Sequence, residues 1–289
     1  MRVFIKQLNW LMQSRYSIIK KKLSRTHHKL PLDGYENNEN TIKFVDFLND
    51  KDLQELNSIL NWNCFVVDSN GRRFGNQAYQ NKRSQPQTIP DKRILLMDEY
   101  FSLADKHVLE VGCFEGIHTI GLSKYANRVT AVDSRIENIV KTIVRCSLFG
   151  FHPTIFKLNI EEDLSEYLTL ISADVMHHVG VFYHLKDPVK HLLELSKYIH
   201  QGIMLDTHYA LDEQAEDIYE YNGKKYYYKK HREEGYTDVF SGMYEYSKWL
   251  KLDDIVSLLK ATGFDVDIIE QRNERNGPRV LLMAKKSLA

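Results

Sequence analysis

Residue types that could do chemistry gather where predicted strands end. A short apolar strand, Val108–Val111, runs into a turn that contains Gly112 and Gly116. A tight strand-to-helix turn favours glycine, and the first N–H groups of the following helix bind polar or anionic ligand groups. Asp133 closes the next predicted strand, 21 residues after Gly112, a separation at which an acid reaches the ribose hydroxyls of a nucleoside. The pair predicts a nucleoside-containing ligand.

A second set of polar residues follows the fourth and fifth predicted strands. Tyr183 and His184 come after the fourth strand, and Asp206 and His208 come at the end of the fifth. Because the carboxyl ends of parallel strands meet at one edge of a sheet, we expect these side chains to lie together. Transfer of a group to a hydroxyl needs an aligned acceptor and a base. We predict the base among His184, His208 and Asp206, and Tyr183 as a positioning group, with a structural role for each histidine as the alternative.

The elements that must position these groups alternate along the chain. Apolar strands separated by helical stretches indicate βαβ units on a parallel sheet. The predicted strands are Val108–Val111, Val129–Val132, Thr154–Leu158, Val175–Val179, Gly202–Asp206, Val266–Ile269 and Val280–Ala284, and the predicted helices are Asp91–Leu103, one from about Gly116, Glu137–Phe149, Val189–Ile199 and Asp253–Ala261. The predicted fold class is α/β, a Rossmann-like sheet with helices on both faces.

Other segments are predicted to be additions to this sheet. Residues 1–50 are expected to hold a basic amphipathic helix and a linker, and residues 51–105 a lead-in segment with a hairpin whose type I′ turn is at Asn70-Gly71. Residues 106–289 form the predicted catalytic domain. Within it, the Tyr-rich segment 212–249 is either an ordered surface excursion or a lid over the ligand crevice.

Composition narrows the classes of function. The chain has 39 basic and 39 acidic residues, but eight basic residues and no acid fall within residues 1–30, so the rest carries about −8. A nucleic-acid partner is therefore possible but not favoured. The N-terminal helix, residues 1–25, is expected to dock on protein or to lie on an anionic membrane surface. Three cysteines without CxxC spacing indicate neither a disulfide framework nor a metal site and favour the cytoplasm.

The glycine turn distinguishes two cofactors that share this architecture. NAD binding by a GxGxxG pattern would need glycine where the chain has Phe114 and Ile117. The motif Glu-x-Gly-x-x-x-Gly, at Glu110, Gly112 and Gly116, instead resembles motif I of class I S-adenosylmethionine (SAM)-dependent methyltransferases.

That resemblance implies SAM as the cofactor and assigns its contacts. Glu110 and the turn would hold the methionine portion, Asp133 the ribose, and the region after the third strand the adenine edge. The implied cofactor-binding residues are Glu110, Gly112, Cys113, Phe114, Gly116, Asp133, Ser134, Asn159, Ile160, Glu161 and Val179.

A second resemblance narrows the subgroup. The stretch Asp174–Pro188, which contains Gly-Val-Phe-Tyr-His, is similar to the fourth-strand motif of the tRNA wobble-uridine methyltransferases and carboxymethyltransferases. Relatives with this motif act on different acceptors, so fold-level resemblance does not fix the substrate. The expected function is methylation of oxygen or nitrogen on a small-molecule or carbohydrate-like acceptor. A tRNA substrate, carboxy-SAM as donor, and a non-catalytic nucleotide-binding scaffold remain alternatives.

Overall fold

The computed structural model describes residues 43–76 and 85–287. All of them belong to one compact unit, Asn38–Ala289, which includes the lead-in segment. The predicted N-terminal helix and linker up to residue 42 lie outside the described residues, so membrane contact through residues 1–25 stays a prediction. Within the described part of the chain, no helix is long and apolar enough to cross a membrane.

Three sheets make up the strand content of the described residues. The strands are β1 (Phe65–Val67), β2 (Arg73–Gly75), β3 (His107–Val111), β4 (Arg128–Asp133), β5 (Thr154–Lys157), β6 (Ala173–Val179), β7 (Ile199–His208), β8 (Asp217–Tyr221), β9 (Lys224–Arg232), β10 (Tyr246–Leu250), β11 (Phe264–Glu274) and β12 (Gly277–Lys286). The central sheet has seven strands in the order β11-β12-β7-β6-β3-β4-β5. Strands β3 to β7 run parallel, and β12 is antiparallel to both of its neighbours. The carboxyl ends of β3, β4 and β6 therefore meet at one edge.

Helices cover both faces of this sheet. The α-helices of the described residues are α1 (Asp50–Ile59), α2 (Lys92–Phe101), α3 (Ile117–Tyr125), α4 (Ile136–Leu148), α5 (Leu168–Ile171), α6 (Pro188–Leu195) and α7 (Leu252–Ala261). Successive strand residues point to opposite faces. Accordingly, Val108 packs with α2 and α3 in one buried cluster, and Leu109 packs with α6 and α7 in another.

The lead-in hairpin differs from its prediction in the turn. Strands β1 and β2 pair antiparallel as expected. The Asp68 N–H bonds to the Arg72 carbonyl, so the loop holds three residues, with only Gly71 at positive φ (+77°). A type I′ turn would need positive φ at Asn70 as well, so the predicted turn type is wrong. The Asp68 carboxylate accepts from the N–H groups of Asn70 and Arg72 and stabilises the wider loop.

The Tyr-rich segment 212–249 forms a small sheet in the order β10-β9-β8. Tyr226 and Trp249 are buried and anchor it against the body, while Ile218 and Tyr227 remain exposed. A loop between β9 and β10 then crosses the edge at which β3, β4 and β6 end. Its residues Val239–Met243 line the same cavity as the glycine turn.

Candidate cofactor and acceptor site

The turn after β3 is held tightly. Gly112 has φ +77°, Phe114 +50° and Gly116 +81°. A Cβ on Gly112 would lie 2.2 Å from Val181 Cγ2, and one on Gly116 would lie 3.1 Å from Thr142 Cα. The backbone at Gly112 therefore approaches Val181 more closely than a side chain would allow, and a side chain at Gly116 would be crowded against Thr142.

Asp133, at the end of β4, joins this turn to the next helix. Its carboxylate accepts from the Phe114 N–H at 3.1 Å, the Arg135 N–H at 2.9 Å and the Asn138 amide at 3.0 Å. Burial raises the pKa of Asp133 above its ordinary value although these bonds favour the ionised form. The acid thus fixes the wall of the cavity at the predicted ribose position.

Glu110 lies buried beneath the turn. Its carboxylate accepts from the Thr119 hydroxyl at 2.6 Å, and burial raises its pKa to about 8. A cation next to such a buried carboxyl group stabilises its ionised form, because the cation offsets part of the hydration that burial removes. An ammonium group on a bound ligand is such a partner.

The same region brings three possible metal ligands together. Glu110, His118 and His177 place ligand atoms within 4.8 Å of one another, and both ring nitrogens of buried His177 have no hydrogen-bond partner among the described residues. However, an Arg93 Nη lies 3.1 Å from His118 Nε2. A guanidinium at that distance opposes a second cation, so we assign no metal to this cluster.

A buried ionic network ties the lead-in segment to the turn. The Glu115 carboxylate accepts from the N–H groups of Asn63 (2.7 Å) and Cys64 (3.1 Å) and pairs with Lys141 Nζ at 3.0 Å. Arg145 lies 3.7 Å away. Burial alone would raise the pKa of Glu115, but these two cations lower it. The residue after Phe114 is therefore fixed from outside the βαβ unit.

The side of the cavity predicted to hold adenine follows β5. Asn159 bonds to the Glu162 carboxylate at 2.8 Å, and Glu161 accepts from the N–H groups of Lys186 and Asp187 at 2.7 and 2.9 Å. Ile160 adds an apolar surface beside them. These bonds connect the loop after β5 to the loop before α6.

One cavity of about 370 Å³ collects these groups at the carboxyl ends of the strands. All but one of the predicted cofactor residues line it; they are Glu110, Gly112, Cys113, Phe114, Asp133, Ser134, Asn159, Ile160, Glu161 and Val179. Gly116 instead caps α3 and packs against α4.

Two of the predicted catalytic side chains reach the cavity. Tyr183 and His184 both line it. His184 Nδ1 lies 2.8 Å from a carboxylate oxygen of Glu233, a buried residue of the Tyr-rich segment. This bond fixes which ring nitrogen carries a proton and leaves Nε2 for another partner.

The other two lie behind the cavity wall, in contrast to the expectation from sequence. Asp206 is fully buried and binds Arg272 at 2.9 Å, Arg279 and, at 3.6 Å, Arg93. Burial alone would raise the pKa of Asp206, but the guanidinium groups lower it. A carboxylate with these partners is a poor base, because its proton affinity is already reduced.

His208 is likewise a packing element. Its ring stacks on Trp249 with centroids 4.9 Å apart and meets the edge of Tyr183 at 4.7 Å. Its Nδ1 donates to the Pro278 carbonyl at 3.1 Å. His208 therefore packs against Tyr183 and helps to hold its ring in place.

Solved structures share this architecture. The N-terminal domain of EvdMO1, solved with SAH and D-fucose, superposes with a TM-score of 0.62 at 20% identity, over 82% of this chain and 95% of that one. The longer EvdMO1 chain matches with a TM-score of 0.53 at 17% identity, over 82% of this chain and 46% of that one. This chain has the class I methyltransferase fold. The predicted Rossmann-like fold and the predicted likeness to SAM-dependent methyltransferases are confirmed, and SAH in the EvdMO1 domain agrees with the predicted cofactor.

Sequence comparison gives a shorter match. A tRNA U34 carboxymethyltransferase of Cellvibrio japonicus (strain Ueda107) is 36% identical over 110 residues, which are 37% of this chain and 34% of that protein. The chain thus matches about a third of the length of this curated relative. No family model matches the sequence.

Sequence reasoning missed three residues that shape the site of this methyltransferase fold. Arg93 reaches the cavity from α2. Glu233, in the Tyr-rich segment, does not line the cavity but bonds to His184, which does. Arg135 donates to the carbonyls of Gly235, Asp238 and Gly242 at 3.0 to 3.1 Å, which fastens the loop over the cavity to the residue just before α4. The charged residues of a segment without any motif are the only sequence signal for Glu233. No nearby pattern indicates that His184 is its partner.

Proposed function

We propose that this chain is a SAM-dependent methyltransferase that methylates oxygen or nitrogen of a small-molecule or carbohydrate-like acceptor. The observation that carries the proposal is a shared cavity: the glycine turn and strand-end acids form one side of it, and His184, held by Glu233 from behind, lines another. A nucleoside site next to an oriented imidazole suits group transfer to an acceptor with an exchangeable proton.

The residues present fit the cofactor. Glu110, with a pKa raised to about 8 by burial, would hold the methionine ammonium, and the Gly112 turn would lie along the methionine portion. Asp133 and Ser134 would face the ribose, and Asn159, Ile160 and Glu161 the adenine. When bound, SAM supplies an electrophilic methyl group. The protein contributes alignment and exclusion of water, which account for most of the acceleration in such transfers.

His184 is the proposed base. It lines the cavity, and its Nδ1 is occupied by Glu233. Nε2 is therefore the nitrogen that would take the proton from the molecule being methylated. Tyr183 would position the acceptor. Asp206 and His208 support this edge through Arg279 and Tyr183 rather than by taking a proton.

Two observations support a small acceptor. The cavity is partly covered by Val239–Met243, and the sequence outside residues 1–30 is acidic, which disfavours a long phosphate-binding surface. The EvdMO1 domain, at 20% identity, was solved with a sugar, D-fucose. That likeness supports a carbohydrate-like acceptor without identifying one.

A second candidate is carboxymethyl or methyl transfer to tRNA. The partial match to a tRNA U34 carboxymethyltransferase favours it. So does the position of Arg279, one Nη of which lies 3.8 Å from the point where a Cβ on Gly180 would be, with the Tyr183 hydroxyl at 3.9 Å. A guanidinium and a phenol beside the reacting edge would donate hydrogen bonds to the carboxylate of carboxy-SAM.

An acceptor screen with methyl-labelled SAM separates the candidates. The full chain is incubated with sugars, nucleotide sugars, other small hydroxyl and amine compounds, and unmodified tRNA, each in parallel with labelled carboxy-SAM as donor, and label in the product is measured. Label in a small molecule that is lost in His184→Ala supports the main proposal. Transfer only to tRNA, or only with carboxy-SAM, supports the second candidate, and no transfer with any acceptor supports a non-catalytic scaffold.

A further inference from the structure

We propose that Glu233 is the positioning residue that orients His184 as the base, so that the Tyr-rich segment completes the catalytic site. The inference rests on the proposed function for its chemistry. It adds a residue that neither the cofactor motif nor the fold assigns, 49 positions away from its partner in the sequence.

The Glu233 carboxylate is held by four hydrogen bonds. One oxygen accepts from His184 Nδ1 at 2.8 Å and from the Ser247 hydroxyl at 2.9 Å. The other accepts from the Ser241 hydroxyl at 2.6 Å and from the Gly242 N–H at 3.0 Å. A carboxylate offers about four acceptor positions, so its orientation is fixed on all sides.

Charge and burial point the same way. Only 7% of Glu233 is exposed, and burial alone would raise its pKa. The hydrogen bonds from His184, Ser241 and Gly242 instead lower the pKa to about 2. The group is therefore an anion at neutral pH, placed against the one ring nitrogen that must keep its proton.

This arrangement determines where the proton of the acceptor goes during the transfer. As the acceptor oxygen bonds to the methyl carbon, sulfur keeps the electron pair of the broken C–S bond and the hydroxyl proton passes to His184 Nε2. The imidazole then carries a positive charge next to the Glu233 carboxylate, which stabilises it. The products are SAH, the methylated acceptor and a protonated His184.

The loop that carries Ser241 and Gly242 also packs on His184 itself. A Cβ on Gly242 would lie 2.4 Å from the His184 carbonyl oxygen. Arg135 binds the carbonyl of the same Gly242 at 3.1 Å. The cofactor side of the cavity and the base are thus connected through one loop, and Glu233 lies at the centre of the contacts.

The test reads the tautomer of His184 directly and does not depend on a known acceptor. The full chain, labelled with ¹⁵N-histidine and saturated with SAH, is compared with Glu233→Gln, Glu233→Asp and Glu234→Gln by NMR, and His184→Gln assigns the signal. Glu234 is the matched control, because it is the next residue in the chain and its side chain is exposed. Its ion pair, with the exposed Arg232, is long, at 3.8 Å. Thermal melting checks that each variant is folded.

In the neutral form of the ring, the wild type and Glu234→Gln should show His184 protonated at Nδ1 with an unprotonated Nε2. In Glu233→Gln the two tautomers should mix, because the amide can donate as well as accept, and Glu233→Asp should restore part of the wild-type signal. With an acceptor from the screen, Glu233→Gln should lower kcat at least ~100-fold, within the range for loss of general-base catalysis, while the Kd of SAH changes less than about twofold.

An unchanged tautomer in Glu233→Gln, or a wild-type His184 protonated at Nε2, would overturn the inference. A Ser241→Ala variant that lowers kcat as much as Glu233→Gln with an unaltered tautomer would also do so, because the carboxylate would then only hold the loop. If the tautomer responds as expected and no acceptor is ever methylated, the proposed function fails and the positioning of His184 by Glu233 stands.

Discussion

Replacing Gly112 by alanine tests the turn on which the cofactor assignment depends. At φ +77° an L-residue costs about 1–2 kcal/mol. The new Cβ would also lie 2.2 Å from Val181 Cγ2, which is much shorter than the roughly 3.5–4.0 Å between two carbon atoms in normal contact. Relieving such overpacking costs about 1–3 kcal/mol. The free energy of unfolding in urea should therefore fall by about 2–5 kcal/mol, and SAH affinity should fall as Val181 is displaced into the cavity.

Two further variants separate strain from the clash. Gly223→Ala has nearly the same φ, +75°, with nothing within 4 Å of its Cβ, so it should lose only the part due to φ. In Gly112→Ala/Val181→Ala the nearest Val181 atom would be its Cβ at 3.6 Å, so the clash should vanish relative to Val181→Ala alone. If Gly112→Ala costs no more than Gly223→Ala, or if the double variant recovers nothing, the close approach of this turn to Val181 is wrong.

Three other changes test the remaining parts of the site. His184→Ala should lower turnover by ~10²–10⁴ with unchanged SAM affinity, and Tyr183→Phe should be milder; steady-state kinetics and SAM titration with each variant measure both. Asp206→Asn should cost about 3–5 kcal/mol of unfolding free energy at pH 7, since three arginines lose their buried anion. The pKa of Asp206 is depressed from 3.8, so its ionised form stabilises the fold above about pH 3.8, and this stabilisation is lost in acid. The difference in unfolding free energy between wild type and Asp206→Asn, measured in urea, should therefore narrow below about pH 4. Glu110 has a pKa raised from 4.5 to about 8, so without cofactor it destabilises the protein increasingly as pH rises through that interval. Between pH 4.5 and 8, the free energy of unfolding of Glu110→Gln should therefore rise relative to that of the wild type by up to about 5 kcal/mol in the same assay. An equal pH dependence of unfolding in both proteins would contradict the buried environment of Glu110.

Local rules explain why much of the cofactor side was predictable. Strand alternation and a glycine turn are encoded within a few residues, so the positions of Gly112 and Asp133 followed from spacing alone. The family resemblance then predicted their ligand. The lead-in hairpin shows the limit of such rules, because its turn at Gly71 depends on hydrogen bonds to the Asp68 carboxylate that a dipeptide signal does not include.

The acceptor side depends on long-range pairs, which spacing does not reveal. Asp206 was predicted to act because it ends a strand, but Arg93, from a helix more than a hundred residues earlier, and two arginines of β11 and β12 neutralise it. Glu233 reaches His184 from a segment whose sequence shows only tyrosines and charges. Which charges meet is decided by packing of the whole sheet, and a single sequence contains no direct record of it.

Titration calorimetry with SAM, SAH and NAD is the most direct test of the central claim, that the cavity bounded by Glu110, Gly112 and Asp133 is a SAM site. The full chain should bind SAM and SAH with one site, and a ligand excess of ~100 times the Kd should raise the unfolding free energy by about 2.7 kcal/mol. Asp133→Asn should weaken both, and NAD should not bind. Binding of NAD alone, or of none of the three, would contradict the account.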